Sequence, residues 1–280
     1  MLCTLTCCQQ MDVVNTPDAQ LDYCTVQVSR ALEAMRDSDY TMEPRNIMDG
    51  DTAWNCRRAS AQEWCSGFWP GILWMDYTYL KRKSEMRNDK RDNAIPLDLL
   101  RKAAEGYTEA LSFLAKQPAY DHDLGFLIIN SFLKGYEATG NETYKSIALT
   151  CADTLATLFN EKVGTILSWP RHGKDYGGHN TIMDNMINLE LLFWAAENGG
   201  SQRLREIAIR HADTTMKNHF REDGSCYHVA VYDTLTGAFI RGVTHQGYAD
   251  SSMWSRGLYM AIPLSIAIQR IGASWILPRK

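Results

Sequence analysis

Apolar residues recur three and four positions apart along most of this chain, which is the spacing of one face of a helix. The spacing predicts helices over residues 21–35, 71–80, 97–114, 126–136, 143–159, 184–196 and 201–219. Only residues 227–232 and 239–243 look extended, on either side of a turn at Thr236 and Gly237. The pattern therefore predicts a mainly helical, all-α fold.

The predicted helices are of two kinds that alternate along the chain. Residues 126–136 and 184–196 are apolar almost throughout, whereas residues 97–114 and 201–219 also carry a polar face. Such alternation is expected when an inner ring of helices is buried on all sides and an outer ring faces water. A helical-repeat solenoid would alternate similarly, but the chain has no fixed repeat period. We therefore expect a toroid of inner and outer helices.

Two segments interrupt the helical pattern. Residues 45–66 show no sustained apolar period, and we expect them to be irregular. Residues 81–92 are highly charged, which predicts a solvated helix end followed by a loop. Long non-helical insertions favour an enzyme over a solenoid, because functional loops gather on one face of a scaffold.

The composition excludes several classes of function. A net charge of −4 gives no electrostatic basis for binding nucleic acid, and no apolar stretch is long enough to span a bilayer. The cysteines form no CxxC pair and the histidines no HxxxH pair. We therefore expect no metal and no other cofactor.

Residues 1–19 are interpreted as a separate N-terminal stub. The run LTCC at residues 5–8 resembles the lipidation site of a lipoprotein, but the basic and long apolar parts of a complete signal are lacking. The stub is therefore interpreted as the remnant of a signal segment, and the protein is expected in the periplasm or the cytoplasm.

Two carboxyl groups stand where apolar helices begin. Asp123 precedes the helix predicted at residues 126–136, and Asp184 opens the one predicted at residues 184–196. One interpretation makes both residues helix caps, which is the more frequent role of aspartate at this position. In the other interpretation, the helix ends bring both carboxyl groups into one pocket. Burial there raises one pKa, which creates an acid/base pair near neutral pH.

Longer motifs occur in a fixed order between about Arg45 and Gly257. They are WCSGFWPG at residues 64–71, HDLGF at 122–126, SW at 168–169, IMDNMINLELLFWA at 182–195, HQGY at 245–248 and WSRG at 254–257. In the content and order of these motifs the chain resembles the unsaturated glucuronyl hydrolases, glycoside hydrolase family 88. The resemblance implies an (α/α)6 barrel, which agrees with the alternation of the helices.

The resemblance also implies a reaction. Enzymes of this family remove a 4,5-unsaturated uronic acid from the non-reducing end of lyase-cut oligosaccharides, and a glycosaminoglycan type is expected here. They protonate C4 of the C4=C5 enol ether, water adds at C5, and the resulting hemiketal opens to release the remaining sugar. Carried over by motif, Asp184 is the acid/base that moves these protons, and Asp123 is the second essential carboxylate.

Further residues are expected, by the same resemblance, to contact the substrate: Trp69, His122, Trp169, His228, Gln246 and Arg256. The tryptophans would stack on the sugar, and Arg256 would pair with the uronate carboxylate. Structural alternatives exist for several of them. Trp169 would otherwise be a core residue, and His228 a surface histidine on a strand. His122 would otherwise be the neighbour of a cap, and Arg256 part of an exposed ion pair.

The resemblance ends abruptly after Gly257. Residues 258–280 read LYMAIPLSIAIQRIGASWILPRK, with Pro263 inside what would be an inner helix. Codons for this tail, read one nucleotide out of register, can encode ALYGYTAFYRDTEDRRFLDFAQK, which is close to what the family has there. We therefore expect a barrel domain over residues 20–257, incomplete at its C-terminus, followed by an aberrant tail from a shifted reading frame. Such a chain is expected to be unstable or weakly active.

Two alternative functions stay open at this point. An unsaturated rhamnogalacturonyl hydrolase shares the scaffold and the hydration chemistry, although the whole set of motifs favours the glucuronyl side. A truncated remnant would keep a glycan-binding pocket without catalysis. In each case the expected partner is an unsaturated oligosaccharide.

Overall fold

Helices supply most of the described chain, as the apolar spacing predicts. The structure, a computed structural model, describes residues 16–87 and 95–256. Its α-helices are α1 (Pro17–Ala34), α2 (Phe68–Arg87), α3 (Leu97–Glu109), α4 (Leu124–Ile128), α5 (Lys134–Thr139), α6 (Glu142–Ala156), α7 (Gly173–Tyr176), α8 (Asn185–Glu197) and α9 (Gln202–Asn218). A π-helical turn, Ile129–Leu133, joins α4 to α5. Short 3-10 helices lie at Ser112–Lys116 and Pro170–His172.

Seven short strands accompany the helices in the described residues, and every pairing between them is antiparallel. They are β1 (Met42–Asn46), β2 (Asn55–Arg58), β3 (Phe159–Asn160), β4 (Thr165–Ile166), β5 (His179–Ile182), β6 (Val229–Tyr232) and β7 (Phe239–Val243). The first four form two hairpins, and the last three form a sheet in the order β5-β6-β7. Strands β6 and β7 lie where extended chain was predicted.

The β1–β2 hairpin and β5 correct the sequence-based prediction. Residues 45–66 were expected to be irregular, yet β1 pairs with β2 inside and beside this segment. Neither strand shows apolar alternation, and Pro44 and several charges hide the pattern. Strand β5 reads HNTI and is buried throughout, because its polar side chains bind other buried groups. A polar buried strand gives no hydrophobic signal.

Local capping residues set where several helices begin. The Thr16 side chain accepts a hydrogen bond from Ala19 N, and Pro17 follows it at the first helical position. Helix α1 therefore begins four residues before the predicted Leu21, inside the segment interpreted as the stub. The first fifteen residues of that stub, Gly257 and the tail at residues 258–280 lie outside the described residues.

The very apolar helices are neighbours, and the amphipathic ones pack outside them. Helix α2 contacts α5 and the π-helical turn, and α4 in turn contacts α8. Helices α3 and α9 pack against α2 and α8 respectively, and α6 lies against α4 and α8. Helix α8 buries side chains around most of its circumference, as an inner helix must. The predicted alternation of inner and outer helices is thus present.

The charged segment at residues 81–92 continues a helix further than expected. Helix α2 runs to Arg87, and the residues from 88 to 94 lie outside the description. Among the helices described, none combines the length and the apolar character needed to cross a bilayer.

Three buried histidines connect helix α9, the β3–β4 hairpin and strand β5. His211 Nδ1 accepts a hydrogen bond from Ile166 N, His179 Nε2 bonds Thr165 Oγ1, and His219 Nε2 bonds the Thr181 carbonyl. Burial lowers the pKa of His179 and of His219 to about 4, and it holds the pKa of His211 well below its ordinary value. These rings are therefore neutral in the folded protein near pH 7.

This histidine cluster predicts that stability falls on acidification. The folded-state pKa values lie below the unfolded value, so below pH ~6.5 the unfolded chain binds more protons. The free energy of unfolding should then fall by at most ~1.4 kcal/mol per pH unit for each neutral histidine. Urea denaturation between pH 7.5 and 5 measures this slope. In His211→Gln the slope should be shallower, because one titrating group is gone.

The control is His172→Gln, which removes a partly exposed histidine on the 3-10 helix. Carboxyl groups contribute equally to the pH dependence of all three proteins. The difference in slope between His211→Gln and the other two proteins therefore measures the contribution of His211. Equal slopes in His211→Gln and the unmodified chain would contradict the assignment of a neutral buried ring.

Candidate active site

Asp123 and Asp184 occupy the N-cap positions of α4 and α8, but neither side chain makes a capping hydrogen bond. Both have helical backbone angles, whereas a capping aspartate usually adopts an extended conformation. The interpretation of these residues as ordinary side-chain caps is therefore wrong. Their carboxyl groups are available for another task.

Both carboxyl groups line one cavity of about 370 Å³. The cavity is bounded by the starts of α2, α4 and α8, by the Trp169 segment and by the chain that follows β7. Six of the eight residues singled out in the sequence line it: Asp123, Asp184, His122, Trp169, Gln246 and Arg256. We call this space the carboxylate cavity.

Asp123 lies in the more acidic part of the carboxylate cavity, next to Asp121. Burial raises the pKa of Asp123 to about 6, the charge of His122 opposes this, and Asp121 and Asp184 add to the rise. His122 Nε2 is 3.2 Å from Asp123 Oδ1. A proton on either group makes this close contact favourable.

The Ser168 carbonyl fixes how His122 faces Asp123. It lies 3.0 Å from His122 Nδ1 and also accepts a hydrogen bond from the His122 backbone N–H. Because a carbonyl can only accept, the Nδ1 atom must carry a proton. In neutral His122, the Nε2 atom that faces Asp123 is therefore an acceptor. His122 is thus more than the neighbour of a cap.

Asp184 lies beside a cation and a histidine. Its Oδ1 is 3.6 Å from Arg256 Nη2, and its Oδ2 is 3.6 Å from His228 Nε2. The Arg256 guanidinium also donates to Gln246 Oε1 and lies over the Trp254 ring. The ion pair expected as the alternative for Arg256 therefore exists, and its partner is the candidate catalytic carboxylate.

His228 lies behind Asp184 and is buried, so the interpretation of His228 as a surface histidine is wrong. Backbone N–H groups of His245 and Gln246 both donate to its Nδ1. That nitrogen must therefore be the acceptor, which leaves the proton on Nε2, the atom directed at Asp184. The ring stacks on Trp254 with centroids 3.9 Å apart. His228 supports the cavity without lining it.

Trp169 both lines the carboxylate cavity and packs in a small core. Its ring meets His122 and His228 edge-on and stacks near Tyr176, with a 20° angle between the planes. Ile182 and the buried valines of β6 belong to the same cluster. Trp169 is therefore a core residue that also borders the cavity, and its contact with a substrate stays a prediction.

The structure places Trp69 elsewhere, which corrects the expected binding set. Trp69 packs edge-on against Tyr107 of α3, with ring centroids 6.0 Å apart, and borders a separate cavity. Successive residues of a helix point about 100° apart, so Phe68 faces the carboxylate cavity and Trp69 faces α3. Two other aromatic residues of the same motif, Trp64 and Phe68, line the carboxylate cavity, and both also border the adjoining cavity beside Trp69.

Sequence reasoning missed several other lining residues. Trp64 forms an aromatic cluster with Phe68 and Phe126, and Arg171 donates to Asp121 at the cavity wall. Trp64 lies inside the motif at residues 64–71 and Phe126 inside the motif at residues 122–126, so membership of a motif was the signal available. Arg171 carried no such signal, because its approach to Asp121 depends on the fold.

Asp121, His122 and Asp123 bring metal-ligand atoms within 4.8 Å of one another. Their atoms have other partners, however. Asp121 accepts from Arg171 Nη1 and from Asp123 N, and His122 Nδ1 bonds Ser168 O. This cluster serves the carboxyl–histidine pair, and we assign it no metal.

Comparison with known proteins gives the site a context. No protein-family model matches the chain. An unsaturated glucuronyl hydrolase from Formosa agariphila is 35% identical over 206 residues, which are 73% of this chain and 47% of that protein. An unsaturated chondroitin disaccharide hydrolase from Streptococcus agalactiae is 34% identical over 209 residues, 72% of this chain and 48% of that protein. The chain thus spans about half the length of these curated relatives.

Solved structures are similar over more of the chain. The crystal structure of an unsaturated glucuronyl hydrolase specific for heparin has a TM-score of 0.71 at 34% identity, covering 92% of this chain and 66% of that one. The enzyme from Bacillus sp. GL1 has a TM-score of 0.75 at 28% identity, covering 91% of this chain and 63% of that one. These are (α/α)6 barrels, which confirms the predicted fold class. By sequence and fold, the chain belongs to the unsaturated glucuronyl hydrolases, glycoside hydrolase family 88.

Proposed function

We propose that the protein removes a 4,5-unsaturated uronic acid from the non-reducing end of glycosaminoglycan-type oligosaccharides, by adding water across the C4=C5 enol ether. One observation carries this proposal. The two carboxyl groups at the starts of adjacent inner helices make no capping hydrogen bond, and they share one cavity. Hydration of an enol ether needs a group that first gives and then accepts a proton. A carboxyl pair in different surroundings suits that task.

The two carboxyl environments differ in a way that supports proton transfer. Burial raises the pKa of Asp123 to about 6, so this group holds a proton readily in mildly acidic solution. Asp184 instead faces the Arg256 guanidinium and the Nε2–H of His228. From the motif resemblance, rather than from these surroundings, we assign Asp184 as the acid/base that protonates C4 and accepts a proton from the attacking water. Asp123, paired with His122, is assigned the control of charge and geometry around the double bond.

The other walls of the carboxylate cavity suit an anionic sugar. Arg256 remains partly exposed, so its planar guanidinium can pair with a uronate carboxylate as well as with Asp184. Trp169 and Trp64 offer apolar faces for the sugar ring, and Gln246 offers hydrogen bonds. A solved relative with 27% identity was crystallised as a complex named dGlcA-Glc-Rha-Glc, which supports an oligosaccharide substrate.

A second candidate function is glycan binding without turnover. Ile72 and Met75 on the inner helix α2 are 41% and 55% exposed, so one flank of this helix has little packing within the described structure. Loose packing there would still allow the cavity to bind a sugar, but it would not keep the two carboxyl groups at the positions that catalysis needs. No observation favours the rhamnogalacturonyl alternative, since the curated relatives above are named for glucuronyl and chondroitin substrates.

The first test is loss of the enol-ether absorbance when the protein is incubated with an unsaturated chondroitin disaccharide. Asp184→Asn should lower kcat at least ~100-fold, because the amide keeps the shape but cannot carry the proton. Affinity for the disaccharide, measured by calorimetry, should change little. The matched control is Asp153→Asn, which removes an exposed carboxylate of α6.

Turnover by Asp184→Asn at the rate of the unmodified protein would remove the acid/base assignment. Tight binding of the disaccharide without turnover in the unmodified protein would instead support the second candidate.

The two tryptophans of the motif at residues 64–71 predict opposite effects. Trp69→Ala should lower the free energy of unfolding by about 3–5 kcal/mol, because it empties a core position. Trp64 is 43% exposed, so Trp64→Ala should cost much less stability. It should weaken disaccharide binding roughly 2- to 10-fold through the lost aromatic face.

Urea denaturation and calorimetry measure the two quantities, and each variant is the control for the other. Weaker binding in Trp69→Ala together with unchanged binding in Trp64→Ala would reverse the assignment of the stacking residue.

A further inference from the structure

The start of helix α4 has a backbone donor that its own cap does not bind. Phe126 is the third residue of α4, and its N–H is one of the first four donors that have no partner inside a helix. An N-cap aspartate would normally accept a hydrogen bond from this N–H. Asp123 makes no such bond, because its carboxyl group faces the carboxylate cavity.

Asn188 of the neighbouring helix supplies the missing acceptor. Its Oδ1 accepts a hydrogen bond of 2.7 Å from Phe126 N. Its Nδ2 donates to the carbonyl of Asp184, at 3.3 Å, one helical turn earlier in the chain. One buried amide therefore holds the backbone beside both candidate catalytic carboxyl groups.

The packing around Asn188 shows that this contact is closely fitted. A Cβ atom added at Gly125 would lie 2.3 Å from Asn188 Oδ1 and 2.8 Å from its Cα. Any larger residue at position 125 would push α4 away from α8. The glycine thus gives the Asn188 amide access to the first turn of α4.

We propose that Asn188 is a positioning residue that caps helix α4 in place of Asp123 and so leaves the Asp123 carboxyl group free to serve in the cavity. Catalysis and capping compete for the same aspartate, because a carboxylate that accepts the Phe126 N–H cannot also face the substrate. The amide from α8 removes this competition. It also sets the separation of α4 from α8, and with it that of the two carboxyl groups.

This inference rests on the proposed function for its effect on turnover, but its structural part can be measured without turnover. Asp123 is the N-cap residue of α4, so its side chain is the group that ordinarily accepts this N–H when Asn188 no longer does. A carboxylate that accepts a backbone N–H at a helix start is stabilised in its charged form. The pKa of Asp123 should then fall from about 6 toward or below its ordinary range.

The decisive variant is Asn188→Ser. A serine hydroxyl in a helix can still bond the carbonyl four residues back, here that of Asp184, but it is too short to reach Phe126. The variant therefore removes the contact between helices and keeps the contact within α8. The matched control is Asn198→Ser, since Asn198 Nδ2 likewise donates to the carbonyl four residues earlier, Trp194, but binds nothing on α4.

Two measurements are made on each protein. The first is the pH titration of the Asp123 carboxyl carbon in protein labelled with 13C-aspartate, its signal being assigned by its loss in Asp123→Asn. The second is kcat and KM for the unsaturated chondroitin disaccharide. We expect Asn188→Ser to lower the Asp123 pKa and to lower kcat roughly tenfold or more, with KM changed less than about threefold. Asn198→Ser should change neither.

Asn188→Leu serves as a second variant in case Asn188→Ser does not fold, and the same direction is expected. An unchanged Asp123 titration in the folded Asn188 variant, or an equal fall in Asn198→Ser, overturns the inference. Absence of turnover in the unmodified protein contradicts the proposed function alone, because the Asp123 titration still decides whether Asn188 keeps the carboxyl group free.

Discussion

The close approach of helices α4 and α8 is the constraint on which the site depends. At Gly125 the two backbones come so near that an added Cβ would lie 2.7 Å from the Cβ of Asn188. Each helix begins with a carboxyl group, so their packing fixes where both groups stand. Helices are stiffer than loops, and a carboxyl at a helix start is therefore held better than one on a loop. The packing of α4 against α8 is therefore both part of the protein core and the contact that positions the two carboxyl groups.

Backbone groups then orient the side chains around the carboxyl pair. The Ser168 carbonyl requires a proton on His122 Nδ1, and two backbone N–H groups require His228 Nδ1 to be an acceptor. The two histidines consequently present opposite atoms to the carboxyl groups: an acceptor toward Asp123 when His122 is neutral, and a donor toward Asp184. Identical residue types thus create different surroundings for two aspartates. Electrostatic difference between paired carboxyl groups is what proton transfer requires.

The apolar spacing of the sequence was enough to predict the helices and their two layers, because an inner helix must be apolar around its circumference. It was also enough to place Asp123 and Asp184 at helix starts. Spacing could not decide between capping and catalysis, since that depends on whether another group takes the Phe126 N–H. The group that takes it, the Asn188 side chain, is more than sixty positions from Phe126 in the sequence.

For other residues of the site, the position in the sequence was predicted, but the direction in which the side chain points was not. Trp64 and Trp69 lie in one motif, and only the start of α2 at Phe68 decides which of them turns toward the cavity. Strand β5 gave no apolar signal, because buried polar side chains bind one another within it. Motif resemblance therefore identified the segments of the site better than it identified the individual side chains.

The site also holds polar atoms that the fold leaves without hydrogen bonds. Within the residues described, three buried atoms have close neighbours but no well-formed hydrogen bond: His122 Nε2 lies 3.2 Å from Asp123 Oδ1, and Asp184 Oδ2 and His228 Nε2 face each other at 3.6 Å. Leaving such an atom unpaired costs about 1–3 kcal/mol. The surrounding packing must offset that cost, which ties the integrity of the site to the core around α4 and α8.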